Sequence, residues 1–398
     1  MSGNRTRVGP LSGRRATGPL DVDALLDDRG TGIIVCCGSG GVGKTTTSAA
    51  LALRAAERGR KVVVLTIDPA RRLAQSMGIA MLDNTPRPVV GVDGAAGGRL
   101  DAMMLDMKRT FDEVVLSQAT PEKAEQILAN PFYVALSSSF AGTQEYMAME
   151  KLGQIHGDAQ RTGTYDLIVV DTPPSRSALD FLDAPERLSS FLDGRFIRLM
   201  LAPARGPAKL MTAGFGLITN ALTKILGGQV LRDLQTFVAA LDTVFGGFRA
   251  RAQKTYALLQ AEETAFLVVA APEPDALREA AYFVERLGED RMPLAGLVVN
   301  RASPAPRGEL SGDEAMAAAA RLRGEDPASL TAGLLRLHAD RTRMVEREAT
   351  LRERFAAAHP DVPTAVVPAL AGDVHDLDGL RRVGELLAGG LQESPVHR

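Results

Sequence analysis

The run Gly38-Ser39-Gly40-Gly41-Val42-Gly43-Lys44-Thr45 fits the pattern G-x-x-x-x-G-K-[ST]. Glycines at these spacings let the backbone curl so that successive N–H groups converge on phosphate oxygens. A helix starting at the end of the run adds the partial positive charge of its N-terminus. Lys44 then reaches the β- and γ-phosphates of a nucleotide, and the Thr45 hydroxyl is placed to ligate Mg²⁺. Two aspartates complete this chemistry on paper. Asp68 stands in Asp68-Pro69-Ala70 and Asp171 in Asp171-Thr172-Pro173, each directly after an apolar run. One carboxylate behind a magnesium ion and another beside an attacking water is what phosphate transfer requires.

The elements that must position these groups are legible as short, continuous apolar runs. Residues 33–37, 61–67, 100–105, 166–170, 264–270, 294–299 and 364–367 read as strands buried on both faces, with helical stretches between them. Alternation of such strands with helices predicts an α/β fold, a doubly wound, mostly parallel sheet. Both aspartates then fall at the carboxyl ends of strands, where open parallel sheets bind ligands. Between Asp180 and Glu263 the apolar residues recur at steps of three or four, as in Val230, Leu234, Phe237, Leu241, Phe245 and Phe248. A connection of that length needs its own structure. The expected organisation is a basic, disordered arm over 1–19, an α/β domain built from 20–180 and 264–392, and a helical insert over 181–263.

Composition narrows the function. The chain has 398 residues and a formal net charge of -2, which argues against a polyanion binder working by bulk charge, so no nucleic-acid partner is expected. Cys36 and Cys37 are adjacent and the only cysteines, which excludes a disulfide framework and a zinc site of paired Cys-x-x-Cys type. The five histidines lack metal-ligand spacing. No run reaches the roughly 18 apolar residues of a membrane span, and the first residues lack the apolar core of a leader. The expectation is a cytoplasmic protein that is not integral to a membrane.

With these motifs in hand, the chain resembles the deviant-Walker P-loop ATPases, and within them the ArsA and guided-entry family. Gly40-Gly41-Val42-Gly43-Lys44-Thr45-Thr46, Thr66-Ile67-Asp68-Pro69-Ala70 and the stretch from Asp166 to Asp171-Thr172 carry the resemblance. Gly142-Thr143-Gln144-Glu145-Tyr146, Pro272-Glu273-Pro274, Val298-Val299-Asn300 and Val367-Pro368-Ala369-Leu370 extend it over about residues 22–388. The resemblance implies an ATPase whose dimer opens and closes around ATP and Mg²⁺. It implies that Asp68 activates the attacking water and that Asp171 supports the magnesium ion, held by Thr45. It further implies that Asn300 and Pro368 hold the adenine, that Glu273 is a weaker nucleotide contact, and that the insert offers a groove to a hydrophobic client helix.

Three departures qualify this. The family usually has lysine at the position of Ser39, reaching across the dimer to the partner's phosphates. Its absence implies either slow turnover alone or a heterodimer with a paralogue that supplies the lysine. The family's Gly-His after the second aspartate stands here as Arg176-Ser177. A thiol-based arsenite site of three cysteines cannot be built from two. The alternatives are a catalytically weak, nucleotide-binding regulatory subunit, or an ATPase of the partition or septum-positioning type.

Overall fold

The apolar runs fold as strands β1 (Ile33–Cys37), β2 (Lys61–Thr66), β4 (Arg99–Met104), β5 (Leu167–Asp171), β6 (Thr264–Ala270), β7 (Leu294–Ala302) and β8 (Thr364–Pro368). They are joined by a two-residue edge strand, β3 (Arg87–Pro88). The computed structural model of the protein describes residues 18–67, 72–79, 81–139, 143–172, 248–306, 308, 310–325 and 330–389.

The eight strands form one sheet in the order β3-β4-β2-β5-β1-β6-β7-β8. Every pairing is parallel except that of β3 with β4. Strands β1, β5 and β6 are buried along their whole length, as expected where helices cover both faces. Each fully buried Val, Ile or Leu there contributes roughly 1.5–3 kcal/mol of transfer free energy.

The chain leaves β1 toward one edge and returns through β6 toward the other, so the loop after β1 sits at the topological switch point. Register brings the strand ends level. Cys36 pairs with Asp171, and Asp171 pairs with Thr66.

Helix Lys44–Glu57 packs on β1, β2, β4 and β5 and against helix Leu377–Gly389. Its buried face is largely alanine, from Ala49 to Ala56, and small side chains let the helix lie close to the sheet. Right-handed crossovers place helices Thr143–Thr162 and Pro274–Glu289 on the opposite face. Helix Phe248–Leu259 packs on Thr143–Thr162. There Arg251 Nε donates to the buried Glu150 carboxylate at 2.8 Å.

The expected strands are present to within one residue at most ends, while β7 runs three residues further than expected. The helices at Met107–Gln118, Pro121–Leu128, Pro131–Ser139 and Thr143–Thr162 carried no sequence expectation. Edge strand β3 was likewise unforeseen, being two residues long and containing proline, which an edge tolerates. At the start, Pro19 bridges Thr364 and the Leu20 amide donates to the Thr364 carbonyl, so the chain is attached to the outer strand from Pro19 onward. Residues 181–247, most of the expected insert, lie outside the described residues, as do 173–180 of the expected α/β domain. No described helix is long and apolar enough to cross a membrane.

Candidate functional site

The loop after β1 takes the conformation that its glycines alone permit. Gly38 has φ 148°, and a Cβ there would lie 2.1 Å from the Val269 carbonyl oxygen. Gly43 has φ 94°, and a Cβ there would lie 2.2 Å from the Asn300 amide nitrogen. Gly43 is also the N-cap of helix Lys44–Glu57, and no side chain caps that helix. Its first N–H groups therefore face whatever the loop holds.

The Lys44 side chain is buried and folds back over the loop. Its ammonium donates to the carbonyls of Gly38 at 3.0 Å and Ser39 at 2.8 Å. Thr45 Oγ1 donates to Asp171 Oδ2 at 2.8 Å, and Thr66 Oγ1 donates to the same oxygen at 2.8 Å. The next residue, Thr172, donates through Oγ1 to the Cys36 carbonyl at 2.8 Å, which ties the end of β5 to the strand that feeds the loop.

On the far side, Asn300 Nδ2 donates to the Val42 carbonyl at 2.8 Å, and Arg301 Nη1 donates to the Gly41 carbonyl at 2.9 Å. A cleft of about 860 Å³ runs from Gly43, Lys44, Thr45 and Thr46 past Asn300 to Pro368 and the segment 369–375. A smaller recess of about 300 Å³ lies beside it, lined by Ser39, Gly40, Val42 and Glu273, with Gly41 and Arg301 shared between the two. The volume of the larger cleft is that of a small-molecule site.

Of the residues singled out from sequence, Lys44, Thr45, Thr46, Asn300 and Pro368 line one cleft, and Asp171 is bonded to it through Thr45. Glu273 is exposed, at the N-cap of helix Pro274–Glu289, and belongs to the recess. Asp68, Arg176 and Ser177 lie outside the described residues. Sequence reasoning missed Arg301, whose one signal was its position beside Asn300, and the cleft wall from Ala371 to His375, which had none.

The oxygens of Thr45 and Asp171 are hard ligands of the kind magnesium takes. Among the described residues no group of three or more His, Cys, Asp or Glu side chains is placed to hold a metal ion.

Cys36 and Cys37 are both buried in β1. Burial pushes both thiols up to about 12, so both are neutral near pH 8. Thiol alkylation at pH 8 is therefore expected to leave the native protein unlabelled over a period in which the urea-unfolded chain takes two labels. Mass spectrometry reads the difference, and rapid labelling of the native chain would contradict the burial.

A parallel sheet whose first strand runs through a phosphate-type loop into a helix, with a hydroxyl–carboxylate pair alongside, has the fold of the P-loop nucleoside triphosphatases. A profile of the ArsA ATPase family, described as anion-transporting ATPase, matches residues 31–319, and the chain belongs to that family.

Three relatives place it further. It is 31% identical over 158 residues to the arsenical pump-driving ATPase of Acidiphilium multivorum, covering 39% of this chain and 26% of that one. It is 31% identical over 177 residues to ATPase GET3 of Malassezia globosa, covering 44% and 48%. It is 27% identical over 282 residues to ATPase GET3 of Podospora anserina, covering 70% and 76%. The match thus takes in about a quarter of the first relative and about half of the second.

Proposed function

We propose that this chain binds ATP with Mg²⁺ in the cleft and hydrolyses it, and that the cycle drives a dimer which handles a client or partner protein. The convergence of Lys44, Thr45 and Asp171 on one loop carries the reading. Loop amides and the helix N-terminus hold the phosphates, and Lys44 offsets their charge. Thr45 and Asp171 hold the magnesium ion, which when bound draws charge from the phosphate oxygens. Asn300 and Pro368 are the wall against which the adenine lies. Asp68 orients the attacking water. Glu273 is a peripheral contact at the recess.

The dimer is either of identical chains or with a paralogue that supplies the cation missing at Ser39. The insert over 181–263 is the part that meets a hydrophobic client helix. The names of the relatives support the ATPase reading, one of them as the driver of an arsenical pump. The two buried, neutral thiols of this chain do not support a thiol-based arsenite site.

Calorimetric titration with ATP at saturating Mg²⁺ is expected to show one site per chain. Replacing Asp171→Asn keeps the shape and removes the charge that orients the metal ligand. It is expected to raise the Mg²⁺ needed for half-maximal turnover by about 10- to 100-fold. Absence of nucleotide binding, or turnover indifferent to Mg²⁺, would overturn the proposal.

A further inference from the structure

β7 does not run regularly into the site. Val299 pairs with Val366 and Ala302 pairs with Pro368, so three steps on β7 match two on β8. The extra residue is a bulge, and within it Arg301 has φ 61°. A long side chain is disfavoured in that left-handed region, which such bulges usually fill with glycine.

In a regular strand the side chains of Asn300 and Arg301 would point to opposite faces. Here both reach the phosphate loop and donate to the adjacent carbonyls of Val42 and Gly41. Bulges beside active sites re-aim side chains, and a strained residue persists where the surrounding structure holds it.

Among the described residues the Arg301 guanidinium forms no ion pair. The recess beside it is lined by Glu273, Asp275 and Glu279. Among the described residues Arg301 makes an ion pair with none of them, and its guanidinium has one recorded hydrogen bond, to Gly41. A guanidinium has five N–H donors, so one can hold a loop carbonyl while others face a ligand. Among the described residues Arg301 is, besides Lys44, the only lysine or arginine lining either cavity.

A diphosphate is served by the loop amides, the helix N-terminus and Lys44. A triphosphate brings a further negative charge, and an arginine supplied in cis is one known way to meet it.

The geometry points to Arg301 as a phosphate-binding residue by which the site prefers a nucleoside triphosphate over a diphosphate. This rests on the nucleotide-binding reading above. Because the residue belongs to the same chain as the loop, the preference requires no second subunit.

The test is equilibrium binding of Mg²⁺ with a slowly hydrolysed ATP analogue, and separately of ADP, to wild type, Arg301→Gln, Arg301→Gly and Lys44→Ala. Arg301→Gln should weaken the ATP analogue about 10- to 100-fold, the range of one charged hydrogen bond, and change ADP less than about twofold. Arg301→Gly suits the left-handed backbone, so it should melt no lower than wild type without nucleotide and lose the same preference. Lys44→Ala should weaken both ligands.

Equal loss of both nucleotides in Arg301→Gln, or no loss, overturns the assignment while leaving nucleotide binding intact. A fall in the melting point of Arg301→Gly assigns the residue to loop support and also overturns it. If wild type binds neither nucleotide, the nucleotide reading itself fails and this inference with it.

Discussion

Replacing Lys44 with alanine is expected to lower ATP turnover per chain about 10³-fold, or about 4 kcal/mol of barrier, the upper range for removing one preorganised donor from a site of this kind. The side chain is buried and its ammonium lies within hydrogen-bonding distance of two loop carbonyls. It is therefore held above the loop before any ligand arrives, and little reorganisation is needed when phosphate enters. Lys44→Arg should be nearly as damaging. A planar, forked guanidinium cannot occupy the place of a point-like ammonium between carbonyls 3.0 and 2.8 Å away without opening the loop.

The fold should survive either change. The lost hydrogen bonds are worth about 1.5–3 kcal/mol to a charged donor, and water entering the cleft offsets part of that. Steady-state phosphate release, with far-ultraviolet circular dichroism and melting as controls, reads the two effects apart. Turnover of Lys44→Ala within tenfold of wild type would show that the loop does not hold the reacting phosphates.

How much of this was legible beforehand follows from which physical signals a single sequence carries. Strands buried on both faces must be apolar throughout, so β1, β2, β5 and β6 declare themselves as runs. The loop could be read because glycine positions and a lysine at fixed spacing are local facts. Asp171 could be placed because a residue that ends a parallel strand must lie at the ligand edge.

Edge strand β3 escaped notice because two residues, one of them proline, have no period. Arg301 escaped because neither a bulge nor a left-handed backbone is written in residue type. The bulge arises from the mismatch of β7 against β8, a pairing across some 65 residues of intervening chain. Asp68 and the insert remain expectations.

The buried residue that residue type announces least is Arg60. A charged residue just before a strand reads as solvent-facing, yet it is the largest fully buried side chain described. Nε donates to Asp166 Oδ1 at 2.9 Å, Nη1 to the carbonyls of Leu26 and Asp28 at 3.2 and 3.0 Å, and Nη2 to the carbonyls of Thr31 and Asp166 at 2.8 and 2.5 Å. Those partners precede β1, precede β5 and end the first helix, Val22–Asp27, so one guanidinium joins three segments at the amino ends of the strands.

Arg60→Met is expected to destabilise the protein by about 3 kcal/mol. The methionine fills most of the volume but leaves buried carbonyls without a donor. Loss of the pair with Asp166 adds less than a fully buried pair would, since that carboxylate is 37% exposed and keeps Arg29 at 2.9 Å. Arg60→Lys should recover little, because one ammonium cannot span the three segments. Urea unfolding measures the loss, and a value under 1 kcal/mol would mean that water replaces the guanidinium without difficulty.

Nucleotide affinity well below the unfolding temperature should change less than twofold, because the network lies at the edge of the sheet opposite the phosphate loop. If affinity fell while stability held, the two edges would be coupled through β1 and β5, the strands that run from the Arg60 network to the loop and to Asp171.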